Sequence, residues 1–470
     1  MSFLLNAVKK SLFMALATTA LASCKESEPD APAPTPVVVT PAGDPAQYGT
    51  PFANVPNRED AVIYQVNMRA FSAGGNFAGV TARLDSIKAL RVNVLYLMPI
   101  YPVGTDRKSV NSPYCVKDYS AVGAEFGTLA DLRTLVDGAH ARGMSVMLDW
   151  VPNHTSWDHP WITAHPDWYK KDASGNIVAP TNGSTTYSDV AQLDFSSNPM
   201  RLAQIAAMRA WVFTANIDGF RCDYADYQPD DYWVQVINSL RSITTHKLLL
   251  LNEGSRSSNY TSGFDYNFGF GFYGGLKSVY KNGTAATNLD AYNTSDYVGT
   301  STTQQIVRYT TNHDVNGSDG TPVSIYGGNA AAMSAFVIAS CYKGVPFVYN
   351  GQEAGMTTPI TFPFTSVKVQ WGLHNDVKKA YVQLLTARAA SPALQHGTPV
   401  SYSASNVCAF TKTFGSSQAL VLVNVRSSVA TYNVPTALAN TTWTDALQGG
   451  TASVGTQVSL PAYGYMVLTK

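Results

Sequence analysis

Apolar residues along this chain recur in two rhythms, short solid runs and longer stripes of helical period, and the two alternate. Residues 61–67 (AVIYQVN), 92–99 (VNVLYLMP) and 145–150 (SVMLDW) are apolar runs bounded by polar turns, the pattern of strands buried on both faces. Between them Val80, Leu84, Ile87 and Leu90 mark one face of a helix, and a second helix over 129–142 ends at Arg142-Gly143. The strand series continues at 217–223 (IDGFRCD), 247–253 (KLLLLNE), 263–268, 306–311 and 345–350 (VPFVYN), with helices at 199–213 and 330–342. The weakest of these patterns is 263–268. Eight strand–helix alternations over about 330 residues predict an α/β fold, a closed (β/α)8 or TIM barrel spanning 58–391. A polar excursion rich in Trp, Gly and Pro, at about 151–198, predicts a short inserted domain after the third strand. From about Pro392 the rhythm changes. Residues 407–414, 419–425, 430–434 and 463–469 alternate apolar and polar between Gly and Ser, which predicts a C-terminal antiparallel β-sandwich over 392–470.

The first 57 residues do not share these rhythms. Lys9 and Lys10 precede a short apolar run, 12–22, that closes in Leu-Ala-Ser-Cys at Cys24; this reads as a secretory signal too short to span a membrane. Leu-Ala-Ser-Cys resembles the bacterial lipobox. On that reading residues 1–24 are a lipoprotein signal, Cys24 carries the lipid, and the chain sits on a membrane through that anchor; the alternative is an ordinary cleaved signal with an incidental cysteine. Residues 25–57 are rich in Pro, Ala and acids and read as an extended tether. The implied location is a secreted bacterial lipoprotein at the outer membrane or cell surface, with the periplasm the other possibility.

Composition narrows the function classes. Of the 470 residues 45% are apolar and 14% charged, enough for a large core. Lys+Arg equals Asp+Glu at 32 each with no long basic run, which argues against a nucleic-acid partner. The five cysteines are widely spaced and form no CxxC pair, which argues against zinc and a disulfide framework.

In the run IDGFRCD, alternation puts Gly219, Arg221 and Asp223 on one face and Phe220 and Cys222 on the other. Buried charges must be paired or functional. Taken alone, the strand leaves two readings open, a structural ion pair or an ionised carboxylate held for nucleophilic work. A barrel of this kind carries its chemistry at the C-terminal ends of its strands. There the chain places Asp149, Asn153 and His154 (third strand), Arg221 and Asp223 (fourth), Glu253 (fifth), His313 and Asp314 (seventh) and Glu353 (eighth). Each has an ordinary structural explanation by itself, but their gathering on one rim does not.

Together these motifs resemble the α-amylase family of glycoside hydrolases over about residues 61–397. DWVPNHT at 149–155, GFRCD at 219–223, YTTNHD at 309–314 and GVPFVYNGQE at 344–353 carry the likeness. The resemblance implies Asp223 as nucleophile, Glu253 as general acid/base and Asp314 as a third carboxylate that grips sugar hydroxyls. It implies sugar or nucleophile contacts from Arg221, His154 and His313, with Asp149 in the same substrate-binding group and Tyr114 as a stacking floor. Retaining cleavage needs one ionised and one protonated carboxyl about 5–5.5 Å apart, and neighbouring strands lie about 4.8 Å apart. Arg221 is expected to lower the pKa of Asp223, and the apolar fifth strand to raise that of Glu253.

Three departures bear on substrate. After Asp223 the family's Ala-x-Lys-His is Tyr224-Ala225-Asp226-Tyr227, no Trp follows Glu253 two places on, and Gln192 stands where many members carry a calcium-ligating Asp. Asn153 is the remaining candidate calcium ligand, and a hard cation wants six or more oxygens. The chemistry needs no cofactor. The expected function is a retaining hydrolase of α-glucosidic bonds in starch or maltooligosaccharides. The alternatives are an α-glucan transglycosylase or exo-acting α-glucosidase on the same framework, and a non-catalytic surface glucan-binding protein.

Overall fold

The computed structural model describes residues 43–470 apart from residues 107 and 302, so the signal, Cys24 and most of the tether lie outside the described residues. Eight parallel strands close into a barrel: Ile63–Val66, Val94–Leu97, Ser145–Trp150, Gly219–Cys222, Leu249–Asn252, Tyr266–Phe268, Gln305–Arg308 and Val345–Tyr349. Each pairs with its neighbours in sequence, and the first closes on the eighth. Side chains alternate as a period of two requires. Val94, Tyr96, Met147, Leu249, Leu251, Tyr266, Val307 and Phe347 fill the interior, while Leu95, Leu97, Val146, Leu148, Phe220, Leu250 and Val348 face the helices. Each such apolar side chain contributes about 1.5–3 kcal/mol on full burial, so the rim above them rests on a rigid wall. The fourth strand begins on Gly219 because a Cβ there would stand 2.0 Å from the Leu249 carbonyl oxygen.

The sixth strand is present and is the shortest of the eight. The helix expected over 80–90 is two short helices, Phe77–Thr81 and Leu84–Lys88. Its apolar stripe is real, since Val80, Leu84, Ile87 and Leu90 are all buried. The break falls at Arg83, whose backbone leaves the helical region while its guanidinium lies 4.1 Å over the Trp371 ring. Helix Leu129–His140 opens on a capping box between Thr128 and Asp131.

The tether reading needs correction for its last part. Asp44 makes a forked ion pair with Arg209, Tyr48 donates to Asp137 Oδ2 at 2.7 Å, and the Thr50 carbonyl accepts from Asn216 Nδ2 at 2.8 Å. Phe52 stacks on His140, and Val55 is buried with Ala61 and Ile63 in the lower layer of the barrel core. This stretch closes the N-terminal mouth of the barrel. Low apolar density hid that role, because two side chains are enough to cover the opening.

The C-terminal residues form a six-stranded antiparallel sheet facing a two-stranded one. Strands Val407–Phe414, Ser417–Asn424, Ala430–Asn433 and Tyr465–Thr469 lie where the alternation places them. Four further strands, Thr398–Ser401, Thr441–Asp445, Thr451–Val454 and Gln457–Leu460, carry too little apolar pattern to be read from sequence. Val407 and Ala409 face the sandwich core, while Cys408 and Phe410 face the barrel helices. Arg426 fastens the domain by donating to the carbonyls of Val279 and Thr284 at 2.6 and 2.7 Å.

Candidate active site

Parallel register sets the base of the site. Asp149 lies opposite Arg221 across the third and fourth strands, and Arg221 opposite Leu251 across the fourth and fifth. Because Arg221 points inward at 1% exposure, its charge must find partners inside the barrel. Its Nη1 donates to Asp149 Oδ1 at 2.9 Å and to Asp223 Oδ1 at 2.7 Å, and its Nη2 lies 3.1 Å from Glu253 Oε2. One guanidinium therefore serves carboxyls from three consecutive strands. Glu253 is further fixed by the Tyr224 N–H, which donates to Oε2 at 2.8 Å.

A second network holds the opposite wall. Gln65, on the inner face of the first strand, accepts the His313 N–H and donates from Nε2 to His313 Nδ1 at 2.8 Å. That leaves the His313 proton on Nε2, 2.6 Å from the Tyr114 hydroxyl and 3.3 Å from Asp314 Oδ1. Tyr114 in turn donates to Asp149 Oδ2 at 3.2 Å, and Tyr96 donates to the same oxygen. Burial, with Arg221 nearby, lowers the His313 pKa to about 4, so the ring is neutral near pH 7. Asn312 caps the following short helix by accepting from the Asp314 and Val315 N–H groups, which aims Asp314 into the opening.

Tyr114, Asn153, His154, Asp223, Glu253, His313 and Asp314 all line a cavity of about 770 Å³ at the C-terminal mouth of the barrel. Tyr187, Tyr224, Phe362 and Phe364 complete its walls. The volume suits a bound small molecule or oligomer end. His154 is held near neutrality by burial, which lowers its pKa to about 4. Asp149, expected among the substrate contacts, is instead wholly buried beneath the cavity, with Tyr96, Tyr114 and Arg221 as its donors. Arg221 likewise reaches Asp223 without lining the cavity. Gln65 and Tyr96 were missed in the sequence, although both are inward-facing polar positions on strands one and two.

Arg221 does pull the Asp223 pKa down, as expected, but the net shift is upward. Burial pushes this carboxyl well up, and the Glu253 and Asp149 charges add to the rise against the pull of Arg221. The pull of one positive charge shared with Asp149 does not offset the burial of Asp223. The direction has a consequence for rate. A nucleophilic carboxylate must be ionised, so activity should fall on acidification through the folded pKa of Asp223, at a pH above the ordinary Asp range near 3.8. A profile of kcat/KM against pH measures this limb; a flat rate down to pH 4 contradicts it.

Asn153 Oδ1 accepts from Gln228 Nε2 at 3.2 Å. Among the described residues no group of three or more His, Cys, Asp or Glu could hold a metal.

A parallel eight-stranded barrel with acids converging from successive strand ends defines the class of barrel enzymes whose site sits at the strand C-termini. The family model for the α-amylase catalytic domain matches residues 46–425, and the chain belongs to that family. It is 26% identical over 416 residues to an α-amylase of Haloarcula japonica, covering 83% of this chain and 58% of that protein. An α-glucosidase of Pediococcus pentosaceus is 32% identical over 197 residues, 35% of each chain. The chain thus spans under two thirds of the length of these relatives. Among solved structures, an α-amylase from Lactobacillus plantarum superposes with a TM-score of 0.77 at 27% identity, covering 88% of this chain and 99% of that one.

Proposed function

We propose that the protein is a retaining glycoside hydrolase cleaving α-1,4-glucosidic bonds in starch or maltooligosaccharides. The observation that carries this reading is the single Arg221 guanidinium bridging Asp223 and Glu253 at the floor of the cavity. Two carboxyls tied to neighbouring nitrogens of one fork sit side by side, the arrangement of a retaining pair about 5–5.5 Å apart. Asp223 attacks C1 of the bound sugar while Glu253 gives its proton to the departing oxygen; water, deprotonated by Glu253, then releases the sugar from Asp223. Arg221 steadies the ionised Asp223, and Tyr114, His313 and Asp314 hold the ring whose C1 is attacked. Asp314 accepts from a sugar hydroxyl, and His313, through its Nε2–H on the Tyr114 hydroxyl, fixes the Tyr114 ring.

Product analysis on maltoheptaose tests the reading. Release of a spread of shorter maltooligosaccharides is the expected result and marks endo cleavage. Glucose as the sole product would assign exo action on the same machinery. Binding of maltoheptaose without any turnover would overturn the enzyme reading.

A further inference from the structure

Arg69 sits on the short helix Met68–Phe71 after the first strand and takes no part in the cleavage step. It is nevertheless 4% exposed, and all five of its N–H donors are engaged on two other loops. Nε and Nη2 donate to Glu125 Oε2 and Oε1 at 2.8 and 2.6 Å. Nη1 donates to the carbonyls of Asn111 and Pro363 at 2.6 and 3.0 Å, and Nη2 reaches Asn111 Oδ1 at 3.1 Å. Asn111 and Glu125 belong to the segment after the second strand, and Pro363 to the segment after the eighth. One planar fork thus joins the loops of three adjacent strands, which a compact ammonium could not do. These bonds fall on strained backbone. Val110 and Asn111 have φ of 43° and 56° and Phe364 has 71°, left-handed values that a β-branched or bulky residue adopts only at a steric cost.

Each strained turn leads to a ring that packs on His313. Tyr114, three positions after Asn111, stacks on the imidazole with centroids 5.4 Å and planes 17° apart. Phe364, next to Pro363, meets the same imidazole edge-on at 6.1 Å. Both rings line the cavity. An ion pair with Glu125 alone would need neither carbonyl contact, so charge balance does not account for where the remaining donors go. Resting on the reading of Asp223 and Glu253 above, we propose that Arg69 is a positioning residue for the cleavage reaction. It clasps the two strained turns so that Tyr114 and Phe364 close on His313 and fix the slot that receives the sugar ring attacked at C1. Without the fork both turns relax toward unstrained backbone, the two rings part from His313, and C1 is held out of line with Asp223. A misplacement of about 1 Å at the reacting centre costs as much as about 10²-fold in rate.

The test measures kcat/KM on maltoheptaose for the purified chain and its variants, with thermal unfolding to show that each is folded. Arg69→Lys keeps the charge beside Glu125 but not the fork, and should lower kcat/KM by about 10–10²-fold. Combined with Tyr114→Ala, it should cost about five-fold less than the product of the two single losses, because part of its effect runs through that ring. Asn111→Gly suits a φ of 56° and so folds whether or not the clasp holds. It removes only the Nη2–Oδ1 bond, and its loss of about three-fold should vanish in the Tyr114→Ala background. The acid limb of the pH profile should stay in place in both variants, since Arg69 touches none of the carboxyls at the cavity floor. Single losses that multiply in the combined variants overturn the proposal, as does an Arg69→Lys enzyme as active as the wild type. A shifted acid limb overturns it too, because Arg69 would then act on Asp223 through its charge. No turnover by the wild type sinks the Asp223–Glu253 reading, whereas turnover with multiplying losses sinks the clasp alone.

Discussion

Glu253→Gln is expected to cut starch hydrolysis by about 10²–10⁴-fold, the usual worth of a positioned general acid. Glutamine has the same shape, and its amide oxygen can still accept the Tyr224 N–H that holds Glu253 at 2.8 Å. It cannot carry or take a proton, so the departing sugar oxygen leaves as a poor anion. The defect should therefore depend on the leaving group. With α-glucosyl fluoride the first step needs no proton, and much of the lost rate of that step should return, while starch cleavage stays low. Reducing-sugar release and fluoride release measure the two, and starch binding checks that the cavity is intact. A variant within three-fold of the wild type on starch would remove Glu253 from the mechanism.

Arg221→Met should have the largest effect on stability. The methionine roughly fills the space but leaves Asp149, Asp223 and Glu253 without their shared positive charge. Breaking a buried ion pair from one side costs about 3–5 kcal/mol, readable as a lowered denaturant midpoint at pH 7. The sign with pH follows from linkage. Burial already raises Asp149 and Asp223, and losing Arg221 raises them further above their unfolded values. The folded variant then binds more protons than its unfolded chain, so its stability deficit against the wild type should shrink as pH falls toward 5. Activity should be lost as well, since a protonated Asp223 is no nucleophile. An unchanged midpoint at pH 7 would show that water or neighbouring dipoles, not Arg221, hold these acids.

Much of the site was legible because strands have a period of two. That period alone put Arg221 and Asp223 on one face, and the barrel rule carried Glu253, His313 and Asp314 to the same rim. Asp149 was harder to read. It shares the inner face, but only the barrel's depth shows that it lies one level below the cavity, holding Arg221 from beneath. The two helices at 77–88 show the limit of periodicity in another way, because the apolar stripe is continuous while the backbone is not.

The sequence by itself determined the α/β class, since solid apolar runs alternating with striped helices bury their surfaces as a parallel sheet covered by helices, and eight such units suit a closed barrel. It also determined which acids, by type and order, meet at one end. Tertiary structure decided everything that depends on sharing. A single guanidinium is divided among three carboxyls, and burial outweighs its downward pull on the Asp223 pKa. It decided that a segment with the composition of a tether closes the barrel through Phe52 and Val55. It also decided that Tyr187, 37 positions before Tyr224 in the chain, meets it across the cavity wall. Burial, charge sharing and ring contact are sums over neighbours, and neighbours distant in sequence exist only once the chain has folded.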